Sequence, residues 1–181
     1  MLDSLITSKT RIKLLLKFFS NSSNSAYLRG LADEFGESTN GVRVELNRLA
    51  DAGLLESSPS GNTIQYRANT KNPLYPELTN IVSKYLGFDR IVDQVISKLG
   101  NIELAFITGG YANGKDTGII DLVLVGNVER SQLHDYIDRT EKLINRKVRP
   151  LILNHDEFYQ HKKALMKESH ILLWSDNSQI K

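Results

Sequence analysis

The chain has 181 residues, 40% of them hydrophobic and 24% charged, with a formal net charge of +2 and no cysteine. That composition is normal for a globular protein; the absence of cysteine excludes disulfides and thiolate metal sites and fits a reducing compartment. A net charge of +2 does not announce a nucleic-acid ligand: a DNA reader of this composition must concentrate its positive charge locally, or bind as a dimer and double its phosphate contacts.

No apolar run approaches the length of a bilayer span. Lys13 and Lys17 interrupt the apolar stretch from Ile12 to Phe19, which a secretory core segment would not tolerate. The expected location is therefore the cytoplasm, with no membrane partner. In that first helix Ile12, Leu15, Leu16 and Phe19 form one apolar stripe, and Ser8 or Thr10 can cap it. Leu14 and Phe18 form a second stripe, read as a face for a partner subunit. Asn21 to Ser25 reads as a polar turn.

The next helix carries Leu28, Leu31, Ala32 and Phe35 and stops at Gly36. After a short turn, Ser38 or Thr39 can cap a third helix whose Val42, Leu46, Leu49 and Ala50 face inward; Gly53 ends it. Two helices joined by so short a turn predict a helix-turn-helix. The period then changes to two. Leu54 to Ser57 and Ile64, Tyr66, Ala68 flank a polar turn of residues 58–62, which predicts a β-hairpin appended as a wing.

Pro76 suits the first turn of a helix carrying Leu78, Ile81, Val82 and Tyr85 to Gly87. A further helix runs from Ile91 through Leu99 to a stop at Gly100. The remainder reads as α/β: a strand over 104–107, a loop crowded with Gly109, Gly110, Gly114 and Gly118, and a strand over 119–125 interrupted by Asp121. A helix through Leu133, Tyr136, Ile137 and Ile144 follows, then a strand over 148–153, with Ile171 to Trp174 as a last strand or docked tail. The expected class is α+β: a winged helix-turn-helix over 1–72, a helical linker over 73–100 and a small α/β domain over 101–181.

In the third helix Ser38, Thr39, Asn40, Arg43, Val44 and Asn47 lie at its start or off its apolar face. Such residues suit the major groove: Arg can bond guanine O6 and N7 together, and Asn can do so with adenine N6 and N7. Arg43 and Asn47 are one turn apart and project together. Arg48, and Asn62 and Arg67 from the wing, are the candidate phosphate contacts.

The runs SKTRIKLLLKFF, YLRGLADEFGESTNGVRVELNRLADAGLL and SGNTIQYRANTKNPLYPEL, spanning residues 8 to 86, resemble the ArsR-type winged-helix regulators, in particular those fused to a nucleotidyltransferase-like domain. The resemblance implies double-stranded DNA as partner and a homodimer built on the first helix and the helices after the wing, which suits Leu14 and Phe18. Metal-sensing members differ, since here there is no cysteine and the four histidines do not cluster.

The segment AFITGGYANGKDTGIIDLVLVG resembles the core of the minimal nucleotidyltransferases over residues 102 to 160. That pattern has a Gly-Ser turn that admits a triphosphate, a strand with Asp-x-Asp that holds Mg²⁺, and a third carboxylate on a neighbouring strand. Gly109-Gly110 stands in place of Gly-Ser, Ile119 in place of the first aspartate, and Arg149 in place of the third carboxylate; only Asp121 remains. Asp116 lies too early in the loop to substitute. The expectation is a non-catalytic descendant with no catalytic residue, cofactor or metal. It would act either as a sensor that takes a phosphate-bearing effector through Gly109, Gly110 and Arg149, or as a scaffold. For Asp121, a hydrogen bond to the glycine loop competes with ligand contact. His155, Asp156 and His161 lack a third metal ligand and read as surface loop; Lys162, Lys163 and Lys167 read as a solvated face, and Trp174 as core or anchor. The alternatives are an active nucleotidyltransferase and an antitoxin-like module whose winged helix binds protein.

Overall fold

A computed structural model describes residues 2–99 and 101–176 of the chain. The fold is mixed α/β with two separate sheets. It divides into two compact units between Tyr85 and Leu86.

The first unit begins with a short helix α1 (Leu2–Leu5) that sequence patterning does not predict, followed by α2 (Lys9–Phe19). Ser8 caps α2, its hydroxyl accepting from the Arg11 amide. The other candidate cap, Thr10, instead donates to the Glu37 carboxylate. Strand β1 (Ser25–Tyr27) follows, then α3 (Leu28–Phe35), α4 (Thr39–Asp51), β2 (Leu55–Ser60), β3 (Thr63–Ala68) and α5 (Tyr75–Leu86). The sheet order is β1-β3-β2, antiparallel throughout. Three-residue β1 carries too little periodicity to be read locally; it exists because Ser25 to Tyr27 pair with Gln65 to Arg67 of the hairpin. The hairpin arms are longer than expected and include Pro59, which β2 tolerates as an edge strand.

The second stripe of α2 is a correction. Leu14 and Phe18 are completely buried, at 0% exposure, inside this unit. α2 packs against α1, α4 and β3, so apolar residues around most of its circumference lie in the unit's own core. They offer no surface to a partner subunit. The basic residues Arg11, Lys13 and Lys17 of α2 have structural partners. Arg11 bonds Glu45 of α4 at 2.8 Å, Lys13 bonds Glu37 in the inter-helix turn at 2.8 Å, and Lys17 bonds Glu34 of α3 at 3.0 Å. One helix thereby holds both helices of the helix-turn-helix and the turn between them.

The second unit starts with a continuous helical stretch: α6 (Phe88–Ile91), a π turn (Val92–Ile96) and α7 (Ser97–Leu99). The stop expected at Gly100 lies outside the described residues. Then come β4 (Ile102–Thr108), α8 (Gly109–Ala112), β5 (Ile119–Gly126), α9 (Arg130–Ile144), β6 (Lys147–Leu153), α10 (His155–Leu165) and β7 (Ile171–Ser175). The sheet order is β6-β5-β4-β7, with β5 and β6 parallel and the other pairs antiparallel. The segment read as a linker therefore ends in two places: α5 lies almost wholly in the first unit, and α6 and the π turn pack on α9 of the second.

Both faces of the central strands are covered. Phe106, Val123 and Val125 lie under Phe158 of α10, while Ala105, Ile107, Ile120, Leu122 and Leu124 alternate onto the opposite face and are all fully buried. Helix α10 corrects the loop reading of His155, Asp156 and His161. It has a capping box, Asn154 with Glu157, in which each side chain bonds the other's backbone amide. The Asn-x-x-Glu spacing was a legible signal.

Candidate nucleic-acid interface and nucleotide cleft

Only Gly36, Glu37 and Ser38 separate α3 from α4. The Ser38 hydroxyl accepts the Gly41 amide at 3.1 Å, so this residue caps the helix. Val42, Leu46 and Leu49 are buried, and Thr39, Asn40, Arg43, Val44, Asn47 and Arg48 are exposed. Arg43 and Asn47 line one groove with Asn62 and Ile64 of the hairpin and with Arg29 of α3. Among the described residues, no side-chain hydrogen bond or ion pair occupies Arg29, Arg43, Asn47 or Asn62. The groove thus presents two unneutralised guanidiniums and two amides, the donor set that reads base edges.

Sequence reasoning missed Arg29. The available signal was its place in the first turn of α3, off the stripe of Leu28, Leu31, Ala32 and Phe35. Arg48 and Arg67 differ from expectation in another way. Arg48 bonds Glu45 at 3.0 Å within α4, and Arg67 holds Glu56 across the hairpin at 2.8 Å. A phosphate would compete with a carboxylate for either one. Glu45 is nearly buried; desolvation pushes its pKa up, but hydrogen bonds from Arg11 and Ser8 and the charges of Arg11 and Arg48 outweigh it, and the net shift is downward.

In the second unit Asp121 is the register partner of Arg149 on β6 and of Thr108 on β4. The Arg149 Nε and Nη2 both reach Asp121 Oδ1, at 2.6 and 2.5 Å. Gly109 has φ +67°, and a Cβ there would lie 2.4 Å from Asp121 Oδ2; a Cβ on Gly110 would lie 2.5 Å from the Thr117 methyl. The open sides of both glycines therefore face protein, and the arginine expected to attract an anion is neutralised. Ile119, two residues before Asp121 on the same strand face, is 44% exposed. An apolar branch and a carboxylate already paired to a guanidinium do not fit the oxygen-rich octahedral shell of Mg²⁺.

The loop after α8 is closed by a network that sequence reading did not find. Tyr111 is buried and donates its hydroxyl to Asp116 Oδ1. Arg146 donates from Nη2 to Asp116 Oδ2 at 2.6 Å and from Nε to the Tyr111 oxygen at 3.1 Å, and the Gly118 amide donates to the same oxygen at 3.1 Å. Asn145, at φ 52°, ends α9 in the left-handed region directly before Arg146. Burial, with the Asp116 hydrogen bond and charge, raises the Tyr111 pKa and keeps its hydroxyl protonated. For Asp116 burial acts upward, but the Arg146 and Tyr111 hydrogen bonds and the Arg146 charge outweigh it and lower the pKa below the usual 3.8. A lowered carboxylate stabilises the fold above its unfolded value and stops doing so as pH falls through the folded value. The second unit should therefore lose stability as pH drops from about 5 through the folded value of Asp116, below 3.8, and Asp116→Asn should be less stable at neutral pH with a shallower acid slope. Thermal unfolding of the two proteins across that range checks this; parallel curves would remove Asp116 from the account. Among the described residues no group of three or more His, Asp or Glu could hold a metal ion, and no helix is long and apolar enough to cross a membrane.

No family profile and no curated protein matches the sequence. Solved structures align over about half of the chain. One is reduced HlyU from Vibrio cholerae, at 15% identity and TM-score 0.36, covering 46% of this chain and 79% of that one. Another is the AntR antimony-specific transcriptional repressor, at 24% identity and TM-score 0.36, covering 49% and 72%. A third is the Shewanella oneidensis complex of a HEPN toxin with its MNT antitoxin, at 10% identity and TM-score 0.37, covering 51% and 72%.

Proposed function

We propose that the chain is a sequence-specific, homodimeric DNA-binding transcriptional regulator whose second unit is a non-catalytic, nucleotidyltransferase-like domain. The observation that carries the DNA reading is the groove in which Arg29, Arg43, Asn47 and Asn62 converge without side-chain partners among the described residues. A solvated helix face would scatter its cations or pair them, as Arg48 and Arg67 are paired elsewhere in this unit. Exposed Val44 and Ile64 add apolar contacts suited to thymine methyl groups.

Arg43 is the base-reading residue in this proposal. Arg43→Ala should weaken specific binding by about 1–3 kcal/mol and relax preference at one base position. Arg67→Ala should cost less and act equally on all sequences, because Glu56 already competes for that guanidinium. Selection of bound sequences from a random pool, followed by titration at fixed salt, measures both. If purified protein shows no sequence preference and Arg43→Ala changes nothing, the DNA reading is wrong.

With Leu14 and Phe18 in the core, the proposed dimer face moves to α5. Leu74 and Ile81 are 57% and 42% exposed, and Leu78 and Tyr85, half-buried, lie between and beyond them at helical spacing. The non-catalytic reading rests on the Asp121–Arg149 pair and on Ile119. A protein guanidinium holds the one carboxylate that would have to help bind the metal dication screening a triphosphate.

A further inference from the structure

We propose that the face of the second unit beneath α10 carries a binding site for a small apolar α-amino acid. A cavity of about 260 Å³ opens there, between α10 and the strands β4, β5 and β7. It lies on the same sheet face as Asp121 but at the other end of β5, about 13 Å along the strand at Val125. Phe106, Val123 and Phe158 fill the space between. This site is separate from the glycine loop, and its test stands whether or not the protein binds DNA.

The floor is apolar: Val125 and Phe158 are buried, and Met166 is half-buried. The rim carries both signs of charge. The Asp176 amide donates to the Glu103 carbonyl at 2.8 Å, which sets two carboxylate-bearing residues side by side. From α10 come Lys162 and His155. Among the described residues Lys162 forms no ion pair; its Nζ rests 4.9 Å from the centre of the Tyr159 ring. His155 reaches Glu103 at 3.2 Å and stacks on Tyr159, with ring centres 4.5 Å apart. An apolar floor under a rim of one sign would suit a fatty acid or an amine. A rim with two carboxylates and a lysine that forms no ion pair among the described residues suits a zwitterion: ammonium toward Glu103 and Asp176, carboxylate toward Lys162, side chain on Val125, Phe158 and Met166. The volume sets the size. It lies a little below the roughly 300–1,000 Å³ of pockets for drug-sized ligands and admits leucine or phenylalanine.

Isothermal titration of the full chain with L-leucine and L-phenylalanine tests this, beside 3-phenylpropanoate, which lacks the ammonium, and phenethylamine, which lacks the carboxylate. At least one amino acid should bind saturably at a single site, and each one-pole analogue should bind about tenfold more weakly or worse, the loss expected for one charged hydrogen bond. Lys162→Glu and Glu103→Gln should each weaken the amino acid at least about tenfold while the thermal transition stays in place. No saturable binding of either amino acid at about 10 mM, roughly tenfold above the ~1 mM dissociation constant of a weak specific ligand, would overturn the proposal. So would saturable phenylalanine binding that either analogue matches in affinity. The analogue comparison uses the wild-type chain and decides the matter even if a variant fails to fold.

Discussion

Phe18→Glu should abolish the folded first unit rather than release a folded monomer. Phe18 is fully buried on a helix enclosed by α1, α4 and β3. Truncating a buried phenylalanine costs about 3–5 kcal/mol, and leaving a carboxylate without a partner in that space adds several more or forces its protonation. Whole domains are stable by only about 5–15 kcal/mol. The same substitution on α5 should behave differently. Ile81 is 42% exposed, so Ile81→Glu should leave the melting temperature within a few degrees, since exposed positions typically change stability by about 0.5 kcal/mol. If α5 is the dimer face, it should shift the mass toward monomer. Circular dichroism melts with light scattering on both variants separate core from interface. A Phe18→Glu protein that melts like wild type and runs as a monomer would restore the partner-face reading of α2.

Gly126→Ala should destabilise the second unit by roughly 3 kcal/mol or more. Gly126 closes β5 at φ +140°, and a Cβ there would sit 2.2 Å from the Asn101 carbonyl oxygen and 3.1 Å from the Glu103 amide. Both obstacles are backbone. They lie just before and within the start of β4, where the ladder slips register between Ile102 and Leu104, so no side-chain rotation relieves the contact. For a unit of this size the loss should lower the melting temperature by more than about 10 °C. Gly109→Ala is the informative comparison. Its φ of +67° is strained for alanine, but the group its Cβ meets is the tip of Asp121, which can turn away. The expected cost is about 1–2 kcal/mol, with the contact to Arg149 weakened. If Gly126→Ala melts no lower than Gly109→Ala, the close approach of the two strands is not as described.

Much of the architecture was legible locally. Apolar residues three and four apart marked α2, α3, α4 and α9, Gly36 and Ser38 marked the helix ends on either side of the turn, and alternation marked the hairpin, because each of these signals lies within a few residues of its cause. Ile119, Asp121 and Arg149 could likewise be compared with a metal-binding pattern one position at a time. Elements that depend on distant partners were not. Strand β1 needs β3, some forty residues downstream. Helix α10 was missed despite its capping box because only Phe158 among its residues is buried, leaving almost no apolar period to detect.

What the order of residues determined by itself was the kind and sequence of elements and which of them carry unusual side chains. The tertiary structure decided which of those side chains remain available. Leu14 and Phe18 look like a free stripe until α1, α4 and β3 enclose them; Arg67 looks like a phosphate ligand until the hairpin register sets Glu56 opposite it; Arg29 is unremarkable until the fold brings it beside Arg43 and Asn47. Helical and strand periods follow from backbone geometry within one or two turns and can be read in one dimension. Availability depends on what lies across the core or across the sheet, and those neighbours are set by long-range packing and pairing.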